Sequence, residues 1–252
     1  MAKYKRWFTA QKHEKDFWEN MAKAIFSGAS KQLDWYEWKA RELEKLLSSC
    51  GQNVLSNAPI ILEIGSGPIG IINNLKYGIR CSIDPLENYY KTNKELIELR
   101  DNDVCHMSGA GECLPFKDHT LSLVIIDNVI DHTNLPDSVI KEIHRILRND
   151  GVMYISVNVH TKYGALLHEI LARLNIDAKH PHTYTFDKIS NLINTRFDIL
   201  TEKAEDYHVI KKGNIESESM KSKIKGYAGL SEMFYRAVCR KKQSVSPGVP
   251  EP

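Results

Sequence analysis

The sequence predicts an α/β protein: a doubly wound, mostly parallel sheet of seven strands with the last strand antiparallel, preceded by an N-terminal helical lid. Three observations carry this expectation. From residue 60 onward, short apolar runs rich in β-branched residues alternate with segments of helical periodicity. That alternation implies right-handed βαβ crossovers and buried parallel strands. The first run closes on Gly65-Ser66-Gly67-Pro68, which suits a tight strand-to-helix turn. Third, all four tryptophans, Trp7, Trp18, Trp35 and Trp38, fall in the first 38 residues, which sets that segment apart.

In chain order, residues 10–27 carry Phe17, Met21 and Ile25 at four-residue spacing, and Gly28 can end that helix. A second helix is expected over 33–49, with Tyr36, Ala40, Leu43 and Leu47 on one face. Together they make a lid over residues 1–57, with a polar linker at its end. The main domain then spans 58–242. Its strands are expected at 60–64, 80–84, 104–107, 121–126, 151–157, 197–201 and 233–239. Helices are expected at 68–76, where Pro68 suits a first turn, and at 88–100, 136–147, 163–174 and 186–194. Segments of about 160–185 and 205–229 read as insertions on the substrate side. The Pro-, Gly- and Ser-containing stretch 243–252 reads as a flexible tail.

The chain has 252 residues, and its 34 Lys+Arg against 32 Asp+Glu leave a net charge of +2. That balance gives no electrostatic case for nucleic acid or an anionic membrane as the main partner. No run reaches the roughly 18 apolar residues of a membrane span, and the basic N-terminus has no apolar run behind it, so neither membrane insertion nor a signal peptide is expected. Five scattered cysteines without CxxC spacing argue against a zinc or disulfide framework and for a reducing cytoplasm.

The loop Glu63-Ile64-Gly65-Ser66-Gly67-Pro68 lets the backbone approach a ligand at a helix start. An ordinary strand–helix turn or a nicotinamide dinucleotide site could use the same pattern. Pro68 interrupts the stretch where a dinucleotide fingerprint runs on to its third glycine. Glu63, an acid inside the strand, would face a cation better than a pyrophosphate. Asp84, about 20 residues on, suits a pair of ribose hydroxyls in either case. The first two features favour a sulfonium nucleoside with an amino acid tail.

At this point the chain resembles the class I S-adenosylmethionine-dependent methyltransferases, most nearly the small-molecule branch. Leu62-Glu63-Ile64-Gly65-Ser66-Gly67-Pro68 is similar to the family's first motif, and Ser82-Ile83-Asp84-Pro85 to its second. Gly109 to Phe116 resembles the stretch after the third strand, and Leu123 to Asn128 with Asp131-His132 the fourth strand and its exit. Glu142 to Gly151 resembles the helix and turn before strand five. The resemblance implies a Rossmann-like fold and S-adenosylmethionine as cofactor. It implies Gly65, Ser66 and Gly67 along the methionine part, Glu63 toward its ammonium, and Asp84 with Pro85 at the ribose. It further implies Gly111 and Glu112 at the adenine edge and Asp127 under the methionine end. The family often has an aspartate where Ala110 stands, so Glu112 or a backbone carbonyl would replace that contact.

Methyl transfer needs alignment and exclusion of water, and a base where the acceptor carries a proton. Candidate catalytic groups leave strand ends: Asp131 and His132 after strand four, His160 after strand five. For His132 and His160 a packing role competes strongly with catalysis. His180 and His182 flank Pro181, but two histidines without a nearby carboxylate make a poor metal site, so no metal is expected. Substrate contacts are expected from Trp7, Trp38, His182 and Tyr184, with Trp18 or Trp35 packing instead. Lys221, Lys223 and Lys225 read as a solvated face or an anion contact. The first 40 residues hold nine aromatics, which could bury the lid against the sheet or wall a pocket. The expected function is therefore methyl transfer to oxygen or nitrogen of a small-molecule acceptor. RNA or protein methylation, a catalytically silent binding module and a nicotinamide dehydrogenase stand as alternatives.

Overall fold

The computed structural model describes residues 2–173 and 181–243, with side chains from residue 9 and excepting that of Arg173. His180 and the 244–252 part of the expected tail lie outside that description, as does the Trp7 side chain.

Two helices open the chain, α1 (Ala2–Phe26) and α2 (Gln32–Ser49). Then come β1 (Ile60–Ile64), β2 (Ile79–Asp84), α3 (Glu87–Tyr90), α4 (Lys94–Glu98), β3 (Val104–Ser108) and β4 (Leu121–Asp127). The second half comprises α5 (Pro136–Ile146), β5 (Leu147–His160), α6 (Lys162–Arg173), β6 (Tyr184–Thr185), α7 (Phe186–Asn194), β7 (Phe197–Ala204), α8 (Tyr207–Glu216), α9 (Met220–Ala228) and β8 (Met233–Lys241). The sheet runs β3-β2-β1-β4-β5-β8-β7, and β6 pairs with Val159 and His160, past the point where β4 ends. β8 alone is antiparallel to its neighbours, so the expected seven-stranded mixed sheet is present with one two-residue strand added.

Successive strand residues point to opposite faces, and the core divides accordingly. Leu62, Ile64, Val124 and Ile126 meet Val139, Ile143 and Ile146 of α5 and Ile189 and Ile193 of α7. Ile61, Leu123, Ile125 and Tyr154 meet Ala40, Leu43 and Leu47 of α2 and Ile71, Ile72 and Leu75. Thus α2 covers the sheet face where a helix after β1 was expected. That helix, 68–76, is reduced to a 3-10 turn at Ile72–Asn74. Gly70 sits at φ 67°, which no right-handed helix continues, and the Glu63 carboxylate takes the N–H groups of Ile71 and Ile72. Likewise 88–100 is two short helices rather than one. The Asn93 side chain accepts from Leu96 N–H and starts α4 anew.

Candidate active site

One cavity of about 450 Å³ opens at the carboxyl ends of β1, β2 and β4. Its sheet-side wall is set by backbone geometry. Gly65 and Gly67 lie at φ 68° and 59°, in the left-handed region that glycine enters without a Cβ penalty. Asp84, at the end of β2, accepts from Gly67 N–H at 3.0 Å and Leu86 N–H at 2.7 Å, which ties the glycine turn to the next strand. Burial pushes its carboxyl up to about 6, against the downward pull of those two amide bonds. Ser66, Pro85, Ala110, Gly111 and Glu112 complete this side. Glu112 accepts from the N–H groups of Asn134 and Leu135, so the loop after β3 is held on the entrance to α5.

At the end of β4, Asp127 is buried and doubly bound. Ser156 Oγ donates to Oδ1 at 2.5 Å, and Lys39 Nζ lies 2.5 Å from Oδ2. Next to it Asn128 stands at φ 56° and holds a buried side-chain oxygen that has no hydrogen-bond partner among the described residues. His132 also lines the cavity, with Nε2 3.8 Å from Asp131 Oδ2.

The opposite wall comes from α1 and α2, through Phe17, Trp18, Trp35, Tyr36 and Lys39. Trp18 is buried over the glycine turn: a Cβ at Gly67 would lie 2.8 Å from its ring. Its indole N–H donates to Glu14 at 2.9 Å, and Tyr36 stacks on it at 6.4 Å between centroids. Burial, then the charges of Asp127 and Glu63, hold the Tyr36 hydroxyl well above its ordinary range. The Lys39 ammonium lies 5.4–5.6 Å from the ring centroids of Trp35, Tyr36 and Phe234. Three ring faces and a carboxylate therefore surround one cation.

The cavity collects Gly65, Ser66, Gly67, Asp84, Pro85, Gly111, Glu112, Asp127 and His132 as the sequence led us to expect. Other expected residues are placed elsewhere. Glu63 is buried beneath the turn, with both carboxylate oxygens on the amides of Ile71 and Ile72, so it braces the loop rather than facing a ligand. Burial raises its carboxyl to about 8. His160 is buried beside β6 and stacks on His168 at 5.1 Å, outside the cavity wall. Asp131 is buried, and its carbonyl accepts from His182 N–H. His182 Nε2 is 2.9 Å from the Thr133 carbonyl oxygen, so it braces the β4 exit loop. Tyr184 belongs to the core. Trp38 stacks on Trp35 at 4.7 Å with Arg236 over its ring, so Trp35 and Trp18 face the cavity and Trp38 does not.

Sequence reasoning missed Lys39 and Asn128. Lys39 carried a readable signal: it lies three residues after Tyr36 and four before Leu43, on the apolar face of α2. A lysine on a buried stripe needs a partner. Asn128 carried none beyond the tolerance of asparagine for positive φ.

Residues 62–155 match a family model described as a methyltransferase domain. No curated protein matches the chain by sequence. Among solved structures, a Galdieria sulphuraria protein assigned as a sarcosine dimethylglycine methyltransferase is 19% identical, with a TM-score of 0.59 over 82% of this chain and 85% of its own. The Haemonchus contortus phosphoethanolamine N-methyltransferase 2, complexed with phosphomonomethylethanolamine and S-adenosylhomocysteine, is 14% identical at a TM-score of 0.55. That match covers 81% of this chain and 53% of the nematode enzyme. The [4+2]-cyclase SpnF is 12% identical, with a TM-score of 0.54 over 81% of each chain. At such identities the shared property is the fold.

Proposed function

We propose that the protein transfers a methyl group from S-adenosylmethionine to oxygen or nitrogen of a small-molecule acceptor. The observation that carries this reading is the convergence on one cavity of the glycine turn, the β2-end acid, the β3 loop and the β4-end acid, roofed by aromatic rings. The residues fit the cofactor. The turn's two positive-φ glycines bring the backbone to the cavity wall beneath Trp18, Asp84 offers a carboxylate, and Asn128 holds an oxygen that is unpartnered among the described residues and suited to an ammonium. When bound, S-adenosylmethionine supplies a methyl group on a sulfonium centre. Asp84 takes the ribose hydroxyls, the backbone at Gly111 meets the adenine edge, and Lys39 supplies a cation for the amino acid tail. Phe17, Trp18, Trp35 and Tyr36 exclude water and hold the acceptor in line. His132 receives the proton of an acceptor hydroxyl or ammonium.

The S-adenosylhomocysteine of the Haemonchus contortus complex supports the cofactor assignment. A cavity of this size, walled by aromatic side chains, supports a small acceptor over a polymer. The net charge of +2 likewise favours no nucleic acid partner. Five free cysteines are consistent with a cytoplasmic setting, and among the described residues no helix is long and apolar enough to cross a membrane. Thermal-shift measurement tests the cofactor. S-adenosylmethionine and S-adenosylhomocysteine are expected to raise the melting temperature and NAD to leave it unchanged. Asp84→Ala is expected to abolish the shift; stabilisation by NAD alone would sink the reading.

A further inference from the structure

A helix is stable in a folded protein chiefly through the apolar face it buries. The α8–α9 hairpin does not meet that expectation among the described residues. α8 has no buried residue, and α9 buries only Gly226, which packs against Ile215 of α8. Meanwhile Val209, Met220, Ile224 and Tyr227 are 61–73% exposed. Met220, Ile224 and Tyr227 recur at helical spacing and mark one stripe of α9. Beside the hairpin, where Gly229 meets the Tyr163 ring, α6 presents a second stripe of Tyr163, Leu166 and Ile170, each exposed.

Charge identifies what covers this face. α9 contains Lys221, Lys223 and Lys225 and no acidic residue. Lys225 is engaged by Glu232, which leaves Lys221 and Lys223 flanking the Met220–Ile224 stripe. The chain's net charge of +2 conceals this local excess. A short amphipathic helix with protruding Met, Ile and Tyr between lysines has the composition of an interfacial element. Its apolar side chains enter the headgroup region, and its ammonium groups meet phosphates.

Topology adds the direction. The hairpin joins the carboxyl end of β7 to the start of β8, and β7 runs parallel to β1, β2 and β4. It therefore stands at the same end of the sheet as Asp84 and Asp127. Phe17 and Trp35, half-exposed in the cavity wall, lie at that end as well. We propose that the α8–α9 hairpin, with α6 beside it, seats the protein on an anionic lipid surface with the cavity side toward the lipid.

Vesicle co-sedimentation of the full chain tests this. The protein is expected to bind vesicles of phosphatidylcholine mixed with phosphatidylglycerol, and to bind pure phosphatidylcholine less. Added salt should weaken the preference. Met220→Asp with Ile224→Asp should lower binding by about tenfold or more, since polar replacements remove the inserted chains. Lys221→Glu with Lys223→Glu should reduce binding on mixed vesicles to the level on phosphatidylcholine alone. Unchanged urea midpoints would show that the variants fold. Failure of the unsubstituted protein to sediment, or equal sedimentation of the Met220/Ile224 variant, overturns the proposal. So does a dimer in light scattering that this variant converts to monomer, because the face would then cover a second copy. None of these readouts depends on cofactor binding, so the methyl-transfer reading stands or falls separately.

Discussion

The two walls of the cavity are held by different means. On the sheet side, positions follow from the backbone: glycines at positive φ, acids at strand ends, carboxylates locked by amide N–H groups. On the lid side they follow from large side chains brought in by two helices, with Trp18 over Gly67 and Lys39 on Asp127. The sheet wall is thus set by the backbone and the strand ends themselves. The lid wall depends on a few contacts that cross between elements far apart in sequence. Breaking those contacts separately should show how far the first wall stands without the second.

The largest effect is expected at Lys39. Its ammonium pairs with a buried carboxylate that, among the described residues, has only Ser156 besides. Lys39→Met takes the buried partner from Asp127, which costs about 3–5 kcal/mol. Urea denaturation should show that loss, and the double variant with Asp127→Asn should recover most of it. If the double variant is as unstable as the single one, the ion pair is not what joins the walls.

Gly67→Ala probes the contact from the other side. The residue would hold alanine at φ 59° and place a Cβ 2.8 Å from the Trp18 ring. Positive φ alone costs on the order of 1–3 kcal/mol. The midpoint of urea unfolding should fall accordingly. Pairing the variant with Trp18→Leu should relieve the steric part and leave the backbone part, which apportions the cost between lid and turn.

The same contrast explains what the sequence revealed. β1, β4 and α5 were legible because their period and apolar content are local properties, and buried parallel strands tolerate little else. The glycine turn, Asp84 and the β3 loop were legible because backbone geometry demands those residue types at those places. Orientation within the lid was not legible. Trp18 reaches the cavity from α1, whereas on α2 Trp35 reaches it and Trp38 stacks away from it, a matter of how α2 is rotated on Ile71, Ile72 and Leu75. The lost helix after β1 was half legible: Gly70 is a visible breaker, but capture of two amides by Glu63 is not. His160, expected beyond a strand end, instead closes β5, where β6 pairs with it, and His182 and Tyr184 are taken up by loop and core contacts beside that pairing.

The smallest expected effect, a dependence of cofactor affinity on pH, separates the two walls without altering either. Asp84 belongs to the sheet wall, and burial raises its carboxyl from the ordinary 3.8 to about 6. Ribose hydroxyls donate to the ionised form, whereas the protonated form gives up an acceptor. Affinity for S-adenosylhomocysteine should therefore be level above about pH 7 and fall as pH drops through 6. The decline should approach about tenfold per pH unit. For the protein without ligand the linkage has the opposite sense. A carboxyl with a raised folded value keeps its proton in the folded state between about 4 and 6, so its contribution to stability declines as pH rises through that window. Glu63, raised to about 8, lies outside the cavity wall and titrates alike in the unsubstituted protein and in Asp84→Asn. The difference between their calorimetric titrations isolates Asp84. If Asp84→Asn retains the full decline below pH 6, the ribose acid is another group, and the lid's Glu14, which also lines the cavity, becomes the residue to substitute next.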